Sequence, residues 1–289
     1  MTRNFNVLKA YYRKPYQVND WLTITQPTVG QIIDMGEDKF YGMLYTFVGN
    51  TTMFRLRLWE AGIDWNKISD YELFAMLSAQ ALQKDTQILF GDVDFTRFVS
   101  TPIDKLNPDF DVSKEESEDN PLYIESFVLY DISTDRTIDE DVYDDIVYYL
   151  RHLFNIYPKV QKAKGKTTKQ WIIDEEMEKM KMSKKESFKS ILFPLISSCL
   201  NHPGFKYKKD ELWDIGIYEF MDSVQRIQVY EATTALLKGS YSGFVDTSKI
   251  SKKEFDFMRD ISVREDASIE VSQKQKDAFN KLVNGGVVK

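Results

Sequence analysis

The residues of this chain best placed to do chemistry are its clustered carboxylates. They fall at Asp92 and Asp94, then Asp109–Asp119, then Asp135–Asp145. Converging oxygens of this kind can hold Mg²⁺ for phosphoryl transfer or strand cleavage, because hard cations prefer oxygen ligands. The spacing Asp139-Glu140-Asp141-x-x-Asp144-Asp145 fits no EF-hand loop, and no His or Lys motif accompanies it. Acids at this density also suit solvated loops and the positive ends of helices, and that reading is preferred. Gly165-Lys166-Thr167 matches the end of a phosphate-binding loop. That motif also needs a glycine where Val160 stands, and no strand pattern leads into it. Lys159, Lys162, Lys164, Lys166 and Lys169, followed by Lys179, Lys181, Lys184 and Lys185, could contact phosphates or an acidic partner. The stretch holds no Arg and only Trp171 as a stacking platform, so a flexible charged linker is expected. His152 and His202 are far apart, and neither has a visible partner for general base work. Cys199, on an apolar run, reads as a small buried hydrophobe. No Gly-x-Ser-x-Gly elbow or dinucleotide fingerprint is present. No catalytic, cofactor-binding or metal-binding residue is assigned; no cofactor and no enzymatic activity are expected.

Composition narrows the class. With 43% hydrophobic and 29% charged residues, a chain of 289 can bury one large core or two smaller ones. The net charge of −7 argues against a general preference for nucleic acid, although a local basic patch can still bind it. One cysteine rules out an internal disulfide, and with two histidines it leaves little material for zinc. The N-terminus lacks the apolar core of a signal peptide, and no run reaches the roughly 18 apolar residues that span a bilayer. A cytoplasmic protein without a membrane partner is expected. The best apolar run, Ile191–Leu200, is short and contains Pro194, so it reads as a buried helix.

Helix-start signals predict the elements that must position these residues. Thr28/Gln31, Ser69/Glu72, Thr137/Glu140, Ser183/Glu186 and Ser251/Glu254 each place a hydroxyl three residues before an acid or amide. Each is a candidate capping box ahead of a periodic apolar stretch. Tyr16–Thr25 reads as a hairpin turning at Asn19-Asp20. Helices are predicted from Thr28 through Phe47, weakened at Gly36 and Gly42, and then over 52–61, 70–82, 139–157, 169–182, 185–200 and 210–238. Gly216 is a candidate break in the last of these. Ile88-Leu89-Phe90, Phe95–Val99 and Leu122–Tyr130 read as β-like. The predicted fold is mainly α, a helical bundle with a small N-terminal hairpin and a β-rich insertion. Its expected parts are 1–85 (hairpin and helices), 86–134 (β-rich insertion), 135–158 (a helix returning to the first unit), 159–168 (basic linker), 169–262 (C-terminal helical unit) and 263–289 (mobile tail).

Two stretches resemble tail assembly chaperones, and related virion morphogenesis proteins, of tailed bacteriophages of Gram-positive hosts. One is Tyr16-Gln-Val-Asn-Asp-Trp-Leu-Thr-Ile-Thr-Gln-Pro-Thr-Val-Gly-Gln-Ile-Ile-Asp-Met-Gly-Glu-Asp-Lys-Phe40, continued by Ala61–Trp65 and Tyr71–Phe74. The other is Leu212-Trp-Asp-Ile-Gly-Ile-Tyr-Glu-Phe220 with Arg226, then Tyr241-Ser-Gly-Phe-Val-Asp246 and Lys249. The resemblance covers about a third of the chain, and the length and the β-like insertion depart from it. It implies a non-catalytic helper in the host cytoplasm that coats the helical tape measure protein, or other tail proteins, during tail morphogenesis. Rings in surplus of core needs can form a groove for partner helices. On that basis Trp213, Tyr218, Phe220 and Tyr241 are the expected partner-facing residues, and a homo-oligomer is compatible with the same surface. A structural virion subunit (connector, neck or baseplate) is the alternative, followed by a regulatory protein- or nucleic-acid-binding module.

Overall fold

The computed structural model describes residues 3–103, 127–183, 188–243, 248 and 250–261. In chain order the elements are α1 (Val7–Tyr11), β1 (Tyr16–Gln17), β2 (Thr23–Ile24), α2 (Val29–Met35), α3 (Glu37–Val48), α4 (Arg55–Glu60), α5 (Asp70–Ser78) and α6 (Gln83–Phe90). Then follow β3 (Val99–Pro102), β4 (Phe127–Asp131), β5 (Arg136–Ile138), α7 (Glu140–Phe154), α8 (Lys166–Ser183), α9 (Leu192–Leu200), α10 (Lys209–Asp214) and α11 (Ile217–Tyr241). Of the described residues 57% are helical, with two small sheets, which is the mainly α class with minor β that the capping and periodicity signals imply.

Helix starts follow local side-chain chemistry where the cap is adjacent in sequence. The Gln31 amide donates to Thr28 Oγ1 (3.0 Å), and Gln31 Oε1 accepts from the Thr28 amide (2.8 Å), opening α2 with a reciprocal box. Ser69 and Glu72 repeat this at α5, at 3.1 and 2.6 Å. Thr137 does not cap α7. It pairs with Tyr130 in the sheet, and Asp139 accepts the Val142 N–H at 2.8 Å instead. Ser251 caps a short 3-10 turn through Lys253 rather than Glu254. The Ser183/Glu186 pair extends outside the described residues, and residues 104–126 and the tail from 262 lie outside them.

The hairpin forms as predicted, with Tyr16 opposite Ile24 and Asn19 Oδ1 accepting the Trp21 and Leu22 amides in the turn. β3, β4 and β5 make an antiparallel three-stranded sheet in that order. Ile88-Leu89-Phe90, expected to be β-like, lies in α6. A short apolar run fits either period, and here Leu89 and Phe90 are buried from a helix. The predicted helix after Thr28 is two helices, broken at Gly36, whose φ of +91° suits glycine. Gly42 interrupts nothing.

The described chain divides into two compact units that do not follow the sequence boundaries. One comprises the described residues of Met1–Val48, Phe74–Ile156 and Phe188–Val263; the other, those of Gly49–Leu73 and Tyr157–Ser187. The first unit is built on rings. Phe47 lies 4.6 Å from Phe90 and 4.9 Å from Phe95 between centroids, and Phe74 lies 4.9 Å from Tyr143. α7 supplies one wall: Tyr143, Ile146, Val147, Tyr149, Leu150, Leu153 and Phe154 are all buried on one stripe. Burying each large side chain contributes about 1.5–3 kcal/mol. Much of the aromatic supply is therefore core.

The second unit is pinned by polar side chains. Residues 159–168 are not a free linker. Asn50 Nδ2 donates to Lys159 O (3.2 Å), Thr52 Oγ1 accepts from Gln161 N (3.0 Å), and Asn66 Nδ2 donates to Ala163 O (2.6 Å). Lys169 Nζ pairs with Asp64 (2.5 Å) over the Trp65 ring, and Arg55 pairs with Glu176. The lysine-rich composition gives no hint of this, because the groups that satisfy the backbone lie about a hundred residues earlier.

Candidate protein-interaction surface

The segment that carries the expected rings is fixed by main-chain pairing within the first unit. α10 ends at Asp214, and the chain crosses residues 27–29 before α11 begins. Val29 N–H donates to Ile215 O (2.9 Å), and Ile217 N–H donates to Pro27 O (3.0 Å). Tyr218 N–H donates to Gln26 Oε1 (3.2 Å), whose amide nitrogen donates to Ala10 O (2.8 Å). A Cβ at Gly216 would sit 2.2 Å from Gln26 Oε1 and 2.6 Å from Arg13 Cγ, so this approach requires glycine. The predicted break at Gly216 is therefore a tie between the start of α2 and the start of α11.

The four expected rings separate. Phe220 is fully buried and belongs to the core with Ile217 and Val224 on the same face of α11, so it cannot face a partner. The aromatic content of the segment gave no way to tell inward from outward positions. Tyr218 is half-buried against Phe5 (5.6 Å); burial, and then Asp222, pushes its phenol pKa up. Trp213 is 44% exposed and lies over Gly30, where a Cβ would come within 2.4 Å of the indole Nε1. Tyr241 is 88% exposed at the end of α11. α11 has 25 residues and is about 37 Å long, so Trp213 and Tyr241 do not share one pocket.

Sequence reasoning placed a helix at α9 but not its exposure. The Ile191–Leu200 run was expected to be buried, yet within the helix only Leu192 and Cys199 are. Phe193 is 68% exposed, and Ile191 and the preceding Phe188 are exposed too. The helix start is held by Glu37, whose carboxylate accepts the Leu192 N–H (2.9 Å), the Ile191 N–H and the Ser190 hydroxyl (2.5 Å). Ser190 Oγ then accepts from Phe193 N (2.8 Å). Apolar content alone did not reveal which residues are covered: Leu192 and Cys199 are buried, Leu195, Ile196 and Leu200 are half-buried, and Phe193 is exposed.

The chemical candidates have structural employment. Arg3 binds Asp145 (2.7 Å) and Asp144 (3.2 Å) and reaches Asp141, so the α7 acids face an arginine. Asp94 caps a 3-10 turn through Thr96 N (3.1 Å). Among the described residues no group of three or more His, Cys, Asp or Glu is placed to hold a metal ion. Gly165 takes φ +86°, a conformation that favours glycine, directly before α8. His152 stacks on Phe5 (5.2 Å), and His202 Nε2 lies 3.0 Å from Glu231. Cys199 is buried, which pushes its thiol pKa up. No described helix is long and apolar enough to cross a membrane. No family model matches the chain, and no curated protein or solved structure is significantly similar to it.

Proposed function

We propose that this protein is a non-catalytic tail assembly chaperone of tailed bacteriophages, acting in the host cytoplasm on the helical tape measure protein or another tail protein. The observation that carries the reading is α9. Six of its nine residues are apolar side chains other than Pro194, and only two of those six are buried. A rigid helix presenting Phe193 beside Ile191, together with the half-exposed Trp213 and exposed Tyr241, supplies apolar contacts for amphipathic segments of a long client. Several weak contacts along one client would add through effective concentration.

Co-expression with a long helical tape measure protein of such a phage tests this reading. The client should co-purify, and Phe193→Ser combined with Tyr241→Ala should lower capture about tenfold without lowering the melting temperature. The chain should be absent from purified particles. Its retention there would establish a structural virion subunit instead, and failure of the native chain to capture the client would end the chaperone reading.

A further inference from the structure

Residues 250–261 lie back along α11. Thr233 Oγ1 donates to Glu254 O (3.0 Å), Tyr230 packs on Phe257 (centroids 5.6 Å, 38°), and Arg226 Nη1 donates to Arg259 O (2.8 Å). The helix positions descend as the strap positions rise, so the strap runs antiparallel to the helix on one face. Between the strap, α11 and the turn at 202–204 lies a cavity of about 340 Å³, lined by His202, Gly204, Arg226, Ile227, Tyr230 and Phe257. That is within the size range of small-ligand sites.

The lining includes the rings of His202, Tyr230 and Phe257 and the Ile227 side chain, which suit a flat apolar group. Among the described residues of the lining, Arg226 is the permanent cation and no carboxylate is present. His202 is committed: Nδ1 accepts the Gly204 N–H (3.0 Å), so the neutral ring carries its proton on Nε2 and donates to Glu231 (3.0 Å). Arg226 is only partly committed. Nη1 serves Arg259 O, Nε lies 3.9 Å from Asp222, and Nη2 makes no hydrogen bond among the described residues. A guanidinium donor at the edge of an aromatic box favours a carboxylate.

We propose that this cavity binds an aromatic ring bearing a carboxylate. A free aromatic acid offers that chemistry, and so does an aromatic residue at the C-terminus of a peptide.

The full-length chain is titrated by calorimetry and NMR with indole-3-acetate, its neutral isostere indole-3-acetamide, and the peptide acetyl-Ala-Ala-Ala-Trp with a free carboxylate. The acid should bind with a Kd of about 1 mM, the order expected for so few atoms, and the amide about tenfold more weakly. Arg226→Gln should erase the preference for acid over amide, and Phe257→Ala should weaken both. A peptide that binds more tightly than indole-3-acetate assigns the site to a partner's C-terminus; one that binds more weakly assigns it to a free acid. The proposal is overturned if neither acid nor peptide saturates the native chain by about 10 mM. It is equally overturned if acid and amide bind alike, or if the preference survives Arg226→Gln. Should Arg226→Gln unfold, the acid–amide comparison on the native chain decides alone.

Discussion

α7 and α9 belong to the same compact unit and treat their apolar residues in opposite ways. α7 is amphipathic, opens on acids, and buries seven side chains along one stripe. α9 is richer in apolar residues and buries two. The difference teaches that periodicity, not apolar content, reports burial. A stripe names the face that meets the core, whereas a continuous run leaves that choice to the rest of the fold. The caps differ in the same sense. Asp139 caps α7 from the adjacent position, while Glu37 caps α9 from more than 150 residues away.

The largest test of this contrast is Leu150→Ala, which opens a void in the fully buried stripe of α7. It should cost about 3 kcal/mol in chemical denaturation. A loss below about 1 kcal/mol would mean the stripe is not the core wall.

The caps come next. Asp139→Ala and Glu37→Ala should each cost about 1 kcal/mol. Hydrogen exchange separates them: the first exposes the Val142 amide, the second the Ile191 and Leu192 amides. Equal loss of protection at both helix starts in either variant would contradict independent capping.

Tyr149 gives a smaller and pH-dependent effect. Its hydroxyl is buried without a hydrogen bond among the described residues, and burial, followed by the neighbouring Tyr16, pushes its pKa up to about 12. The unfolded phenol ionises near pH 10. A folded pKa above the unfolded one contributes stability that is complete below about pH 10 and lost as the pH rises to about 12. Tyr149→Phe should therefore change stability by less than about 1 kcal/mol at neutral pH and flatten the alkaline loss between those values. An unchanged alkaline profile would mean that another group governs it.

The smallest expected change in stability is at Phe193. Phe193→Ser should alter it by no more than about 0.5 kcal/mol, because the ring is mostly in solvent. A loss like that of Leu150→Ala would show that α9 is covered after all.

Legibility followed the distance over which each feature is decided. The α2 and α5 boxes, the hairpin at Asn19 and the α7 stripe depend on residues within a few positions of one another, and all were readable. The helix α6 was misread because three apolar residues carry no distinguishable period. Phe220 was misassigned because ring content does not encode direction, and residues 159–168 looked free because Asn50, Thr52 and Asn66 are remote in sequence. Of the candidate surface, Trp213 and Tyr241 were legible as rings, but the exposure of Phe193 on α9 was not.

Near-neighbour chemistry fixes the mainly α class, the starts of α2 and α5 and the apolar stripe that α7 buries, since these follow from hydrogen-bonding and hydrophobic preferences of adjacent residues. Tertiary structure alone decided that Gly216 touches Gln26, that Glu37 holds the start of α9, and that Phe193 faces water while Phe220 does not. Those outcomes depend on which surfaces remain uncovered once the whole chain has packed, and no local pattern contains that information.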